Sequence, residues 1–199
     1  MAKLALEVGG MAVIEQGSRG AGEQGSRGSR GRGGEREINK QQTAISKQML
    51  INPQEIPERK GSNYPEEFKS LVAGRSKKPL GDAAGLKNFG VNLVTLQPRS
   101  WSSIRHWHSK QEEFIYILEG EVTLVTDSGE QTLKPGNMAG FPAGNADGHH
   151  LINKSDSVVL YLEIGDRTPE DEVNYPDTDL IAKYTPQGWI FTRQDGTSY

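Results

Sequence analysis

HWHSKQEEFIYILEG, residues 106–120, opens on two histidines, passes through an acidic pair and closes on a glycine. Successive side chains on an extended strand point to opposite faces, so His106 and His108 share one face while Trp107 takes the other. Glu112 and Glu113 follow after a short polar break, and either carboxylate can reach the imidazole pair from a neighbouring strand. FPAGNADGHHLIN, residues 141–153, then delivers His149 and His150 behind a Gly-rich loop. A one-residue shift of register decides which of those two faces inward. The chain has 4 histidines, and all of them lie in these two stretches. A single histidine on a strand is ordinarily a hydrogen-bonded polar residue. The set gathered here around carboxylates points instead to a metal ion.

Short apolar or alternating runs recur around these stretches: VNLVTL (91–96), EFIYIL (113–118), EVTLVT (121–126), NMAGF (137–141), HHLIN (149–153) and VVLYLEI (158–164). Turn signals divide them, among them Glu119-Gly120, Asp127-Ser128-Gly129 and Lys134-Pro135-Gly136. Many short strands at this spacing predict an all-β sandwich or barrel. Gly188–Arg193 predicts one further edge strand, inside a C-terminal extension at 166–199.

The two histidine stretches resemble the paired motifs of the cupin superfamily. The first motif is His-x-His, three or four residues, Glu, six residues, Gly; His106, His108, Glu113 and Gly120 meet every spacing, whereas Glu112 would leave seven before the glycine. The second is Gly, five residues, Pro-x-Gly, two residues, His, three residues, Asn; Gly136, Pro142, Gly144, His149 and Asn153 match it. Four residues rather than two separate Gly144 from His149, so this loop is longer than the motif; the spacing to Asn153 favours His149 over His150. The resemblance covers residues 86–164 and implies a single cupin barrel (double-stranded β-helix, or jelly roll) at 86–165. It also implies one divalent metal ion, Mn, Fe, Ni or Zn, on His106, His108, Glu113 and His149. Three imidazoles and one carboxylate leave open positions on such an ion.

Residues 16–36 are mainly Gly, Ser, Arg and Glu with almost no apolar residue, and EQGSRG occurs twice, at 15–20 and 23–28. Such a segment buries too little apolar area to offset its ordering entropy, so residues 1–48 read as a disordered tail. Ordinary composition begins at Met49, a candidate native start. Residues 49–85 read as an arm punctuated by Pro53, Pro57, Pro65 and Pro79, with a helical turn near 65–72 and Lys77-Lys78 as a solvated patch. Small cupins resembling this chain imply a homodimer with such an arm crossing to the partner.

The formal charge of −3 argues against nucleic acid, and the tail's arginines have no aromatic residues interleaved for base stacking. The chain has 0 cysteines, which excludes disulfides, thiolate ligands and a cysteine nucleophile. No apolar run approaches the ~18–20 residues of a membrane span, and no signal-peptide core is visible. The expectation is a cytoplasmic protein that binds a small molecule, with no membrane or nucleic-acid partner. The ligand should be oxygen-rich: a carboxylate, hydroxy-acid or sugar-like compound, handled by a metal-dependent enzyme. The alternative is a non-catalytic binder of oxalate-like dicarboxylates or a ligand-sensing module. Tyr116, Tyr161, Glu163 and Asn153 are candidates for the barrel mouth, and Glu112, Asp147 and Glu163 for acid–base work. Trp101 and Trp107 read as core or interface residues, Arg99 and Arg105 as surface residues near the first motif.

Overall fold

The structure, a computed structural model, describes residues 50–199; the tail at 1–48 and its expected disorder lie outside them. Its strands are β1 (Arg59–Lys60), β2 (Arg75–Pro79), β3 (Phe89–Leu96), β4 (Trp107–His108), β5 (Glu113–Glu119), β6 (Val122–Thr126), β7 (Gly129–Leu133), β8 (Met138–Phe141), β9 (His150–Ile152), β10 (Val159–Asp166), β11 (Glu172–Tyr175), β12 (Leu180–Thr185) and β13 (Gly188–Thr192). One layer is a six-stranded sheet in the order β1-β2-β3-β10-β5-β8. A three-stranded sheet, β7-β6-β9, and a four-stranded one, β13-β12-β11-β4, complete the fold. This is the all-β architecture expected from the strand texture, in the cupin form that the motif resemblance implies.

Period-two alternation builds the core. Val94, Leu96, Ile115, Ile117, Val159 and Tyr161 face inward from the six-stranded sheet and meet Val122, Leu124, Leu133 and Leu151 from the three-stranded one. Burial of each such aliphatic side chain contributes about 1.5–3 kcal/mol. A second cluster, Ile104, Val173, Tyr175, Leu180 and Ala182, lies under the four-stranded sheet, with Tyr64 and Phe68 packed against it. Residues of the arm therefore fold onto their own chain. Glu66–Lys69 and Ser70–Val72 form short helical turns, and β2 extends the large sheet by pairing with β3 from Arg75↔Leu96 to Pro79↔Asn92.

Two motif residues have structural jobs. Gly120 turns the chain from β5 to β6 at φ +79°, and a Cβ there would lie 2.6 Å from the Val158 carbonyl oxygen. Asn153 is fully buried; its Nδ2 donates to the carbonyls of Leu96 (3.0 Å) and Ser157 (2.7 Å), and its Oδ1 accepts from the Ser155 amide and hydroxyl. It therefore ties the end of β3 to the loop before β10. Asn153→Ala removes the side-chain donor to the buried Leu96 carbonyl and one of the two side-chain donors to the Ser157 carbonyl, and should cost about 1–3 kcal/mol of unfolding free energy. Urea denaturation checks this: a lower midpoint at unchanged slope is the expected result.

Candidate metal centre

The two histidine stretches meet through the backbone. His106 and His149 face each other in an isolated antiparallel bridge, with the His106 amide donating to the His149 carbonyl (3.1 Å) and the reverse bond at 2.8 Å. Their rings are 4.9 Å apart by centroid, and those of His106 and His108 are 5.1 Å apart. Glu113 heads β5, where it pairs with Phe141 of β8 and Gly165 of β10. All three imidazoles converge on one carboxylate oxygen. Glu113 Oε2 lies 3.4 Å from His106 Nε2, 3.5 Å from His108 Nε2 and 2.9 Å from His149 Nε2. Ligand atoms of His106, His108 and Glu113 all lie within 4.8 Å of one another, a group that can hold a metal ion.

The far sides of the rings are held as well. His106 Nδ1 bonds the Ile104 carbonyl at 2.9 Å, and His108 Nδ1 bonds Asp171 Oδ2 at 2.5 Å. Asp171 is itself buried and accepts from the amides of Lys110 (2.8 Å) and Gln111 (3.2 Å) and the Ser109 hydroxyl. The His149 ring stacks on Phe141 at 3.5 Å, with 1° between planes. In the tautomers that carry the proton on Nδ1, His106 and His108 turn bare Nε2 lone pairs toward the Glu113 carboxylate. Acceptors then face an acceptor, an arrangement that a cation between them resolves.

Charge states support the same fit. Burial pushes the Glu113 carboxyl up, but hydrogen bonds with the His106 and His149 rings, and the charge that His106 and His108 carry when protonated, outweigh it and hold the group well below the usual carboxylate range. Burial lowers His149, overriding the pull of Glu113. Burial works against the charged form of His108 too, yet the Asp171 bond and the Glu113 charge raise it. At neutral pH Glu113 is thus ionised and His149 neutral, the forms in which these groups coordinate metals.

His150 is placed apart from Glu113. Its Nδ1 bonds the Ser103 carbonyl at 3.0 Å, its ring meets Trp101 edge-on, and burial lowers its pKa. Tyr161 and Glu163 line a cavity of about 230 Å³ that also contains His106, His108, Glu113 and His149. Tyr116 lies on the opposite face of β5 and Asn153 is locked in the core. Of the acid–base candidates, Glu163 alone faces this cavity; Glu112 and Asp147 line other depressions. Arg105 bridges Asp127, Asp177 and the Gly148 carbonyl, so it braces the loop before His149 rather than meeting a ligand. Lys77 corrects the solvated-patch expectation. It turns into the cavity and bonds both Glu163 oxygens, at 2.6 and 2.8 Å. Asp171 and Arg75 went unnoticed in the sequence. Asp171 sits in a polar run with Asp166, Glu170 and Glu172, and nothing in its spacing singles it out.

The family model described as Cupin domain matches residues 92–165. A sugar phosphate isomerase of the cupin superfamily from Silicibacter pomeroyi DSS-3 is 43% identical, with a TM-score of 0.74 over 75% of this chain and 96% of that one. This chain belongs to the cupin superfamily. A protein provisionally named a sugar phosphate isomerase, from Acidithiobacillus ferrooxidans ATCC 23270, is 30% identical, with a TM-score of 0.63 over 77% of this cupin and 97% of its own length. A polyketide cyclase from Streptomyces resistomycificus shares the fold at 19% identity, with a TM-score of 0.50 over 59% of this chain and 78% of that one. No curated protein matches this cupin.

The Asp171 carboxylate orients His108 and raises its basicity. Asp171→Asn keeps the shape and removes the charge, so metal affinity should fall about 10- to 100-fold. Competition with a chromophoric chelator measures this, and an unchanged affinity would remove Asp171 from the site.

Proposed function

We propose that this cupin is a metal-dependent enzyme that isomerises a small sugar-like hydroxy-carbonyl compound, with His106, His108, Glu113 and His149 as the metal ligands. The convergence of three Nε2 atoms on Glu113 Oε2 carries the reading. The 43% identical relative named a sugar phosphate isomerase supports the substrate class. A divalent ion held there supplies Lewis acidity to the oxygens of a bound hydroxy-carbonyl group.

The chain's own residues do the rest. His106 and His149 are fixed by their shared backbone bridge, and His108 by Asp171, so little reorganisation accompanies ligand binding. Phe141, Trp189 and Phe191 give the cavity apolar walls that exclude water. Glu163, held by Lys77 and by Asn92 Nδ2 at 3.0 Å, is the carboxylate placed to take a proton from one carbon and return it to the next. A homodimer belongs to the same reading. The outer face of the six-stranded sheet exposes Phe89, Phe114, Leu118 and Met138, an apolar surface suited to a second copy; a monomeric mass by light scattering would remove that part.

Elemental analysis of tag-free protein beside the His106→Ala/His108→Ala double variant tests the centre. About one equivalent of Mn, Fe, Ni or Zn in the wild type and none in the variant is expected. No metal in the wild type after reconstitution would sink the reading. Glu163→Gln should keep the metal and lose about 10²-fold or more of any aldose–ketose interconversion followed by NMR. Metal and ligand binding with no turnover in the wild type would leave the non-catalytic binder.

A further inference from the structure

The inner face of the six-stranded sheet carries charge where a core face is ordinarily apolar. Arg75 and Lys77 stand two apart on β2 and line the same cavity as the histidines, with Ser76 between them turned to Glu58 on the other side. Lys77 has Glu163 as its counter-ion. Arg75 forms no ion pair among the described residues; its one hydrogen bond is to the Ser102 carbonyl. A guanidinium has five donors in a planar fork, so most of its capacity here is unused. Arg75 and Lys77 together exceed Glu163 by one positive charge.

Tyr161 adds an independent sign. It is 1% exposed, lines this cavity, and its hydroxyl has no hydrogen-bond partner among the described residues. Leaving a buried hydroxyl unpaired is costly, so such a group in a functional cavity marks a place for a ligand atom. In the sheet Tyr161 stands in one row with Lys77, through Val94 of β3. Glu163 lies two residues further along β10, and Gly165, two beyond that, pairs with Glu113. The order from the cation end to the imidazole end is therefore Lys77 and Tyr161, then Glu163, then Glu113.

We propose that Arg75, Lys77 and the Tyr161 hydroxyl form a subsite for a phosphate group at the end of the cavity away from the imidazoles. This deepens the isomerase reading by placing the phosphate of a sugar phosphate, the substrate in the name of the 43% identical relative, on residues of this chain, and it rests on that reading for the ligand's other end alone. Two cations and a hydroxyl match the three terminal oxygens and double charge of a phosphate ester, and a fork-shaped guanidinium suits it best. The carbon chain then crosses Glu163 and presents its hydroxy-carbonyl end to the histidines.

Inorganic phosphate is the probe, titrated calorimetrically into the full chain both metal-loaded and stripped by chelator, with metal content measured in parallel. Binding should persist in the stripped protein and weaken about tenfold or more in Arg75→Gln and in Tyr161→Phe, with metal content unchanged. Tyr161→Phe deletes a single oxygen and guards against a folding failure of the arginine variant. Phosphate binding that vanishes with the metal, or that both variants leave intact, would overturn the subsite, as would no binding to the wild type. Acetate competing as well as phosphate would overturn the phosphate assignment. Loss of the metal centre alone would sink the isomerase reading and leave the phosphate result standing.

Discussion

A carboxylate enclosed by three imidazoles is the feature around which this molecule is arranged. Removing the Glu113 charge from water is costly, and only the positive sides of its neighbours offset it. That balance needs His106 and His149 on adjacent backbone, which the paired bonds of 3.1 and 2.8 Å provide. It needs His108 aimed the same way, which two-residue alternation and Asp171 provide together. The register of β5 against β8 and β10 then fixes the depth of Glu113 in the fold. A slip of one residue at any of these pairings would turn a ligand outward.

Much of this was legible in the chain. Alternating apolar runs marked β3, β5, β6, β8, β9 and β10, because their inward residues are apolar and their turns carry Gly, Pro, Asn and Asp. The spacing to Asn153 favoured His149, and the structure shows why that interval matters. Asn153 is anchored in the core, so counting back from it sets which histidine meets His106. Other parts were hidden for physical reasons. β7 reads GEQTL, exposed along most of its length, and has no apolar period to detect. β2 reads RSKKP, where a solvated patch was expected, because lysine is a surface residue unless a partner waits inside. Glu163 is that partner, 86 positions away, and no local pattern reports a contact of that range. Asp171 escaped for the same reason, at a separation of 63 from His108.

The cavity is a joint product of several stretches of chain. The paired motifs supply the imidazoles and Glu113, β10 supplies Tyr161 and Glu163, and the arm supplies Tyr64, Arg75 and Lys77. The C-terminal strands close it with Val173, Tyr175, Trp189 and Phe191. The candidate metal ligands thus all lie within the residues the family model matches, while Tyr64, Arg75 and Lys77 before that segment and Val173, Tyr175, Trp189 and Phe191 after it complete the walls.

Asp171 places the completion of the centre late in the life of the chain. During synthesis His106, His108, Glu113 and His149 leave the ribosome before the carboxylate that orients one of them, and before β11–β13 that cover the cavity. A nascent barrel would offer its histidines with one of them unbraced and the cavity open, a weaker trap for whatever ion is nearest. On the metal-binding reading, full affinity would arrive only once Asp171 has folded against His108, so selection of an ion would fall to the folded chain rather than to the growing one.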